Sequence, residues 1–122
     1  MDLPLLMTMA VSMEVEKIGH TGGSSDISRL MKFLKHYTKY PNNMAKVLVA
    51  VKTMCMRVEP WVVRLFLQYK FPGIVAEGLR LHKGVGNLVS RACEAISAIA
   101  HVTKGAGVKQ FMEEGVATAL IG

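Results

Sequence analysis

The sequence predicts an all-α protein built as an α-solenoid, a row of stacked helical repeats. Three observations predict it. Hydrophobic residues make up 51% of the 122 residues but aromatic ones only 7%, and small aliphatic side chains in that proportion suit helices packed closely on helices. The apolar positions recur at intervals of three and four, the period of a helix face, and no stretch alternates as a strand would. The chain also repeats itself: a shift of 45 residues lays its two halves on each other without a gap.

In that register Leu34 falls on Leu79, Lys35 on Arg80, Lys46 on Arg91, Ala50 on Ala95, Val51 on Ile96 and Met54 on Ile99. Val63 then meets Val108, Arg64 meets Lys109, Phe66 meets Phe111 and Leu67 meets Met112. Apolar coincidences come cheaply in so apolar a chain, whereas basic and aromatic ones in one register do not.

The first element is a helix from about Leu3 to Lys17, packed on the first full unit. Its apolar run lacks a basic start and an Ala-x-Ala site, so it is no signal peptide. It is also shorter than the roughly 20 residues of a membrane span. At the repeat shift it lies over the long helix of a preceding, degenerate repeat.

Gly22 to Ser25 break the chain, and Ser25 or Asp26 can cap the helix that carries Ile27, Leu30, Met31, Leu34 and Tyr37 on one face. Pro41, Asn42 and Asn43 end it and start the next helix, whose amphipathic stripe runs from Met44 to Arg57. Glu59 and Pro60 open a third helix with Val62, Val63, Phe66 and Tyr69 inward, and Phe71, Pro72 and Gly73 close it.

The second unit follows the same plan. A helix from Ile74 to about His82 leads through a turn over Lys83 to Asn87 into a long helix, Leu88 to Thr103. Ala92, Cys93, Ala95, Ile96, Ile99 and Ala100 read as its buried side. Gly105 to Gly107 break the chain before a short helix, Val108 to Glu114, which stops at Gly115. The domain plan is therefore one domain over 1–122. It comprises an N-terminal helix and Gly/Ser turn over 1–25, repeats over 26–70 and 71–115, and the start of a truncated repeat over 116–122.

The second unit resembles the armadillo repeat. Ala92 to Ala100 is similar to the signature third helix of that family, Phe111 to Gly115 to its short first helix and glycine stop, and Gly73 to Ala76 to the start of its second helix. The unit is slightly longer than the usual one, through the loop Leu81 to Asn87, so a HEAT-like repeat stays open.

The resemblance implies a right-handed superhelix whose third helices line a concave groove. By that carry-over the groove presents Lys46, Val49, Thr53 and Met56 from the first unit and Arg91, Glu94, Ala98 and His101 from the second. Nuclear-import members carry a Trp and, one turn on, an Asn there to clamp basic peptides. Glu94 and Ala98, then Val49 and Thr53, hold those positions here, so that ligand is not expected.

Charge points to the partner. The formal net charge is +6, and between Ile27 and Val58 seven Lys or Arg occur with no Asp or Glu. Such a surface favours an anionic partner, and an acidic protein segment suits the face of a helical repeat. The alternative is nucleic acid on Arg29, Lys32, Lys35, His36 and Lys39, a stripe of the first full helix with Tyr40 at its end.

Nothing in the sequence assembles catalytic chemistry. His20, His36, His82 and His101 are isolated from one another and from Cys55 and Cys93, so no metal is expected. Gly84-x-Gly86 and Gly105-x-Gly107 follow helices rather than strands and read as breaks, not as phosphate or dinucleotide loops. Glu113 and Glu114 are adjacent and point apart, which rules out an acid/base pair.

The expectation is a non-enzymatic binding or scaffold module without cofactor. Two cysteines read as buried free thiols place it in a reducing compartment, the cytoplasm or the nucleus. Mean hydropathy is positive at +0.30, which excludes disorder. Two repeats bury too little alone, so the chain is expected either to belong to a longer array or to self-associate through an open end.

Overall fold

Prolines and glycines set the helix boundaries, and they do so twice at one interval. The computed structural model describes residues 13–18, 20, 22–57, 59–103, 105 and 108–116. A helical stretch over 13–18 leads into α1 (Ser24–His36), α2 (Pro41–Cys55), α3 (Pro60–Gln68), α4 (Phe71–Leu81), α5 (Gly86–Thr103) and α6 (Val108–Glu113). The described residues contain no strand, so the all-α class holds. None of their helices is long and apolar enough to cross a membrane. Most of the expected helix over Leu3 to Lys17, and residues 117–122 of the expected third unit, lie outside the described residues.

The 45-residue shift reappears in the backbone. α1 and α4 end at the matched positions His36 and Leu81, α2 and α5 begin at Pro41 and Gly86, and α3 and α6 end at Gln68 and Glu113. Beyond the last pair the chain turns through the left-handed region at matched residues, Lys70 with φ 63° and Gly115 with φ 79°.

Several boundaries differ from expectation, each for a local reason. α2 starts at Pro41, as expected of a proline whose fixed φ suits a first helical turn where no N–H is needed, but ends at Cys55, short of Arg57. Phe71, Pro72 and Gly73 open α4 instead of closing α3, since the break falls one residue earlier at Lys70. Gly86 and Asn87 likewise belong to α5. The N-cap of α1 is Gly23, and neither Ser25 nor Asp26 takes that place. Asp26 instead reaches back, its carboxylate accepting the Gly23 N–H at 2.8 Å, as the third residue of a capping box does.

The core runs through both units. Ile27, Leu30, Met31 and Leu34 of α1 are buried, as are Val15 and Ile18 of the N-terminal stretch. Phe66 and Phe111 are register mates, and Phe71 lies between them at ring-centroid distances of 5.8 and 5.9 Å. All three rings are within 2% of full burial, and truncating such a ring to Ala costs about 3–5 kcal/mol.

The helix ends are tied across units as well. The Gly22 carbonyl accepts from Arg57 Nη1 at 2.8 Å, and the Leu67 carbonyl, 45 residues on, accepts from Gln110 Nε2 at 3.1 Å. Carbonyls near helix ends lack intrahelical partners, and here both are met by a side chain from later in the chain, Arg57 just after α2 and Gln110 on α6.

The most extensive helix contact joins α2 and α5. Small buried residues on α5 (Ala92, Ala95) permit close approach of the two axes. Two expected core residues are displaced from the interior. Tyr69 is 43% exposed, because it follows the last residue of α3 and turns out with Lys70. Cys93 is exposed, whereas Cys55 is buried. The register mate of Cys93 is Leu48, fully buried on the flank of α2 that the second unit covers. Ile96 and Ala100, expected inward, are only half-buried for the same reason.

Two measurements check this account. A left-handed backbone costs an L-residue about 1–2 kcal/mol, part of which glycine gives back as chain entropy. Lys70→Gly is therefore expected to raise the unfolding free energy by about 1 kcal/mol, and Gly115→Ala to lower it by a similar amount, in urea titrations. Burial pushes the Cys55 thiol up to about 12, and only thiolate reacts. Native protein should thus take up maleimide at Cys93 alone, and at both cysteines in denaturant, as peptide mass mapping would show.

Candidate interaction groove

The exposed sides of α2 and α5 form one continuous face. Every third or fourth residue of α2 from Asn42 onward points away from the core, and α5 repeats the pattern from Asn87. Side-by-side packing sets these two rows next to each other.

Three hollows run along the face. One, of about 360 Å³, lies between the N-terminal helical stretch and α2, against Val15, Glu16, His20, Lys46, Val49 and Thr53. A second, of about 540 Å³, lies between the N-terminal halves of α2 and α5, with Asn42, Lys46, Val49, Asn87 and Arg91 on its walls. The third, of about 420 Å³, lies between the C-terminal halves, against Lys52, Met56, Glu94, Ala98 and His101. All eight residues expected in the groove thus line the hollows of one face: Lys46, Val49, Thr53, Met56, Arg91, Glu94, Ala98 and His101.

The electrostatics are less uniform than the residue types suggest. Glu94 lies 3.1 Å from Arg91 on its own helix and 3.5 Å from Lys52 across the helix pair. The Arg91 hydrogen bond, then the charge of Lys52, hold its carboxyl below the ordinary carboxylate range. Two of the groove's cations are thereby drawn to one anion. Lys46 is exposed and has no carboxylate at ion-pair distance among the described residues.

The second hollow therefore keeps a cationic and amide-rich lining. Asn42 with Lys46 and Asn87 with Arg91 are matched pairs, each spaced by one helical turn. An Asn amide offers two donors and an acceptor, enough to hold the backbone of an extended chain, while Lys and Arg suit carboxylates. The third hollow is apolar at Met56 and Ala98, with His101 at its rim.

Sequence reasoning missed the asparagines, although an identical exposed residue in both units at the same register was a usable signal. It also missed Lys52, His20 and the Arg91–Glu94 pair, whose spacing of three was visible.

The basic stripe is arranged differently. Arg29 is paired with Glu14 and lies 3.6 Å from Asp26, so its charge is met locally. Lys35, His36 and Lys39 gather with Tyr40 around a separate hollow that Glu77 and Leu81 of α4 also line. The stripe does not recur: the register mates of Arg29, Lys32 and His36 are Ile74, Glu77 and Leu81.

A titration tests the groove's charge arrangement. A folded carboxyl held below its unfolded value contributes stability above the ordinary carboxylate range, and that contribution is lost as pH falls through the folded value. The Glu94 carboxyl resonance should therefore titrate at lower pH than a free glutamate, and Arg91→Gln should move its midpoint upward. An unmoved midpoint would show that Arg91 does not hold it.

No family model, curated protein or solved structure matches this chain.

Proposed function

We propose that this chain is a non-enzymatic protein-interaction module of armadillo-like helical repeats, stacked with a right-handed twist, which holds an extended acidic segment in the α2–α5 groove. One observation carries the reading: Asn42 with Lys46 and Asn87 with Arg91 recur at the same register and line one hollow. Packed helices lie about 8–10 Å apart, the span of roughly three residues of extended chain. The favoured ligand thus carries acidic side chains three residues apart, with its backbone on the asparagine amides. Apolar residues further along it meet Met56 and Ala98. A reducing compartment, cytoplasmic or nuclear, suits the exposed thiol of Cys93.

Fluorescence anisotropy with labelled peptides tests this. A peptide with Asp or Glu at every third position should bind, and its Lys-substituted counterpart should not. Lys46→Glu combined with Arg91→Glu should weaken binding about tenfold or more through like-charge repulsion. Affinity that ignores both changes would remove the groove assignment. Tighter, steeply salt-dependent binding of a single-stranded oligonucleotide, abolished by Lys35→Glu plus Lys39→Glu, would put the α1 stripe in its place.

A further inference from the structure

The hollow between the C-terminal ends of α1 and α4 is built differently from the groove. It measures about 460 Å³ and has two unlike walls. Lys35, His36, Lys39 and Tyr40 come from the end of α1 and the turn after it, whereas Glu77 and Leu81 stand on α4. His82 Nε2–H donates to the Thr38 carbonyl at 2.7 Å and ties the two walls together. Five described carboxylates, Glu14, Asp26, Glu59, Glu94 and Glu113, pair with cations. Glu77 does not, and neither Lys35 nor Lys39 has a carboxylate at ion-pair distance among the described residues. Charges of both signs thus line one hollow without meeting across it. Tyr40 is 54% exposed yet held in place. Its ring lies edge-on to the buried Tyr37 at 6.2 Å between centroids, and Tyr37 in turn lies edge-on to His36 at 4.9 Å. The register mates of His36, Lys39 and Tyr40 are Leu81, Gly84 and Val85, so the repeat itself does not call for these side chains.

We infer that this hollow binds a nucleoside phosphate. The phosphate meets Lys35, His36 and Lys39, which offer it N–H donors. The base stacks on the open face of Tyr40 and packs against the exposed Leu81. Glu77, on the α4 wall, accepts from the sugar hydroxyls, as a carboxylate beside a ribose does. One ligand thereby satisfies both walls, with its anionic end on the lysines and its hydroxyl donors on the carboxylate. An acidic peptide would satisfy only the α1 wall and bring its own charge against Glu77. The volume of about 460 Å³ lies within the roughly 300–1,000 Å³ of small-molecule sites.

Equilibrium dialysis of the full chain against radiolabelled ATP tests this. Binding should saturate and be displaced by unlabelled ATP. Tripolyphosphate, which carries the charge without base or sugar, should displace it about tenfold less well or worse. Lys35→Glu plus Lys39→Glu should weaken binding about tenfold or more, and so should Tyr40→Ala, while Tyr40→Phe keeps the stacking face and the affinity. Circular dichroism should show each variant as helical as the wild type. If Tyr40→Ala loses helicity, Leu81→Glu, at an exposed position, serves the same purpose. Absence of saturable binding overturns the inference, as does tripolyphosphate that displaces ATP as well as ATP itself does. Affinity that Tyr40→Ala and Leu81→Glu both leave unchanged overturns it too. Displacement by a single-stranded oligonucleotide would identify a nucleic-acid strand as the source of the nucleotide, and its failure to displace would identify free nucleotide. Lys46→Glu plus Arg91→Glu should leave ATP binding unchanged, which keeps this result separate from the fate of the groove. ATP affinity that falls with that pair would place the ligand in the groove and overturn the assignment.

Discussion

The side-by-side packing of α2 on α5 is the constraint from which the rest of this structure follows. It joins the long helices of the two units, whose register mates stand 45 positions apart in sequence. It buries one flank of α2, aligns the two exposed rows that make the groove, and leaves the outer flank of α5 without the same cover. The smallness of the buried Ala92 and Ala95 suits that close approach. A bulkier residue at either of them would push the helices apart and widen the groove along with the core.

The turns maintain this packing by repeating their geometry rather than their sequence. Proline opens α2 and α3 and stands second in α4, but glycine opens α5. The left-handed turn is made by lysine in one unit and glycine in the next. What is kept is the position of the breaks that end α1 and α4, open α2 and α5, and end α3 and α6, because a break moved by one residue would rotate the following helix by about 100°.

This explains what was legible in the sequence. Helices with strong periodicity, α1 and α5 above all, could be located by their apolar faces, and the repeat gave their spacing. The eight residues expected on one face came from the family resemblance, and they do line the hollows of one face. Boundaries at Phe71 and Gly86 were misjudged because proline and glycine are compatible with both the end of one helix and the start of the next. Only the register of the partner unit decides between them. The misplacement of Cys93 has another cause. Periodicity identifies residues that suit burial, but whether a neighbour arrives to bury them depends on what stacks next. Leu48 and Cys93 occupy the same place in the pattern and differ in that one respect.

Glu94 shows how the same packing tunes the groove. Arg91 and Lys52 are brought together by the α2–α5 contact, and two cations at that separation would repel and loosen it. A carboxylate between them removes the repulsion and fixes Arg91 toward the C-terminal half of the face. The consequence for an acidic ligand is directional. At the Glu94 end it must compete with a resident anion, whereas the hollow of Asn42, Lys46, Asn87 and Arg91 has no carboxylate in its lining, Glu16 standing in the adjoining one. A segment entering the proposed groove is therefore anchored by its acidic residues at the N-terminal ends of the two helices. Its apolar residues are left to run toward Met56 and Ala98, so one ion pair placed for packing also gives the groove its polarity.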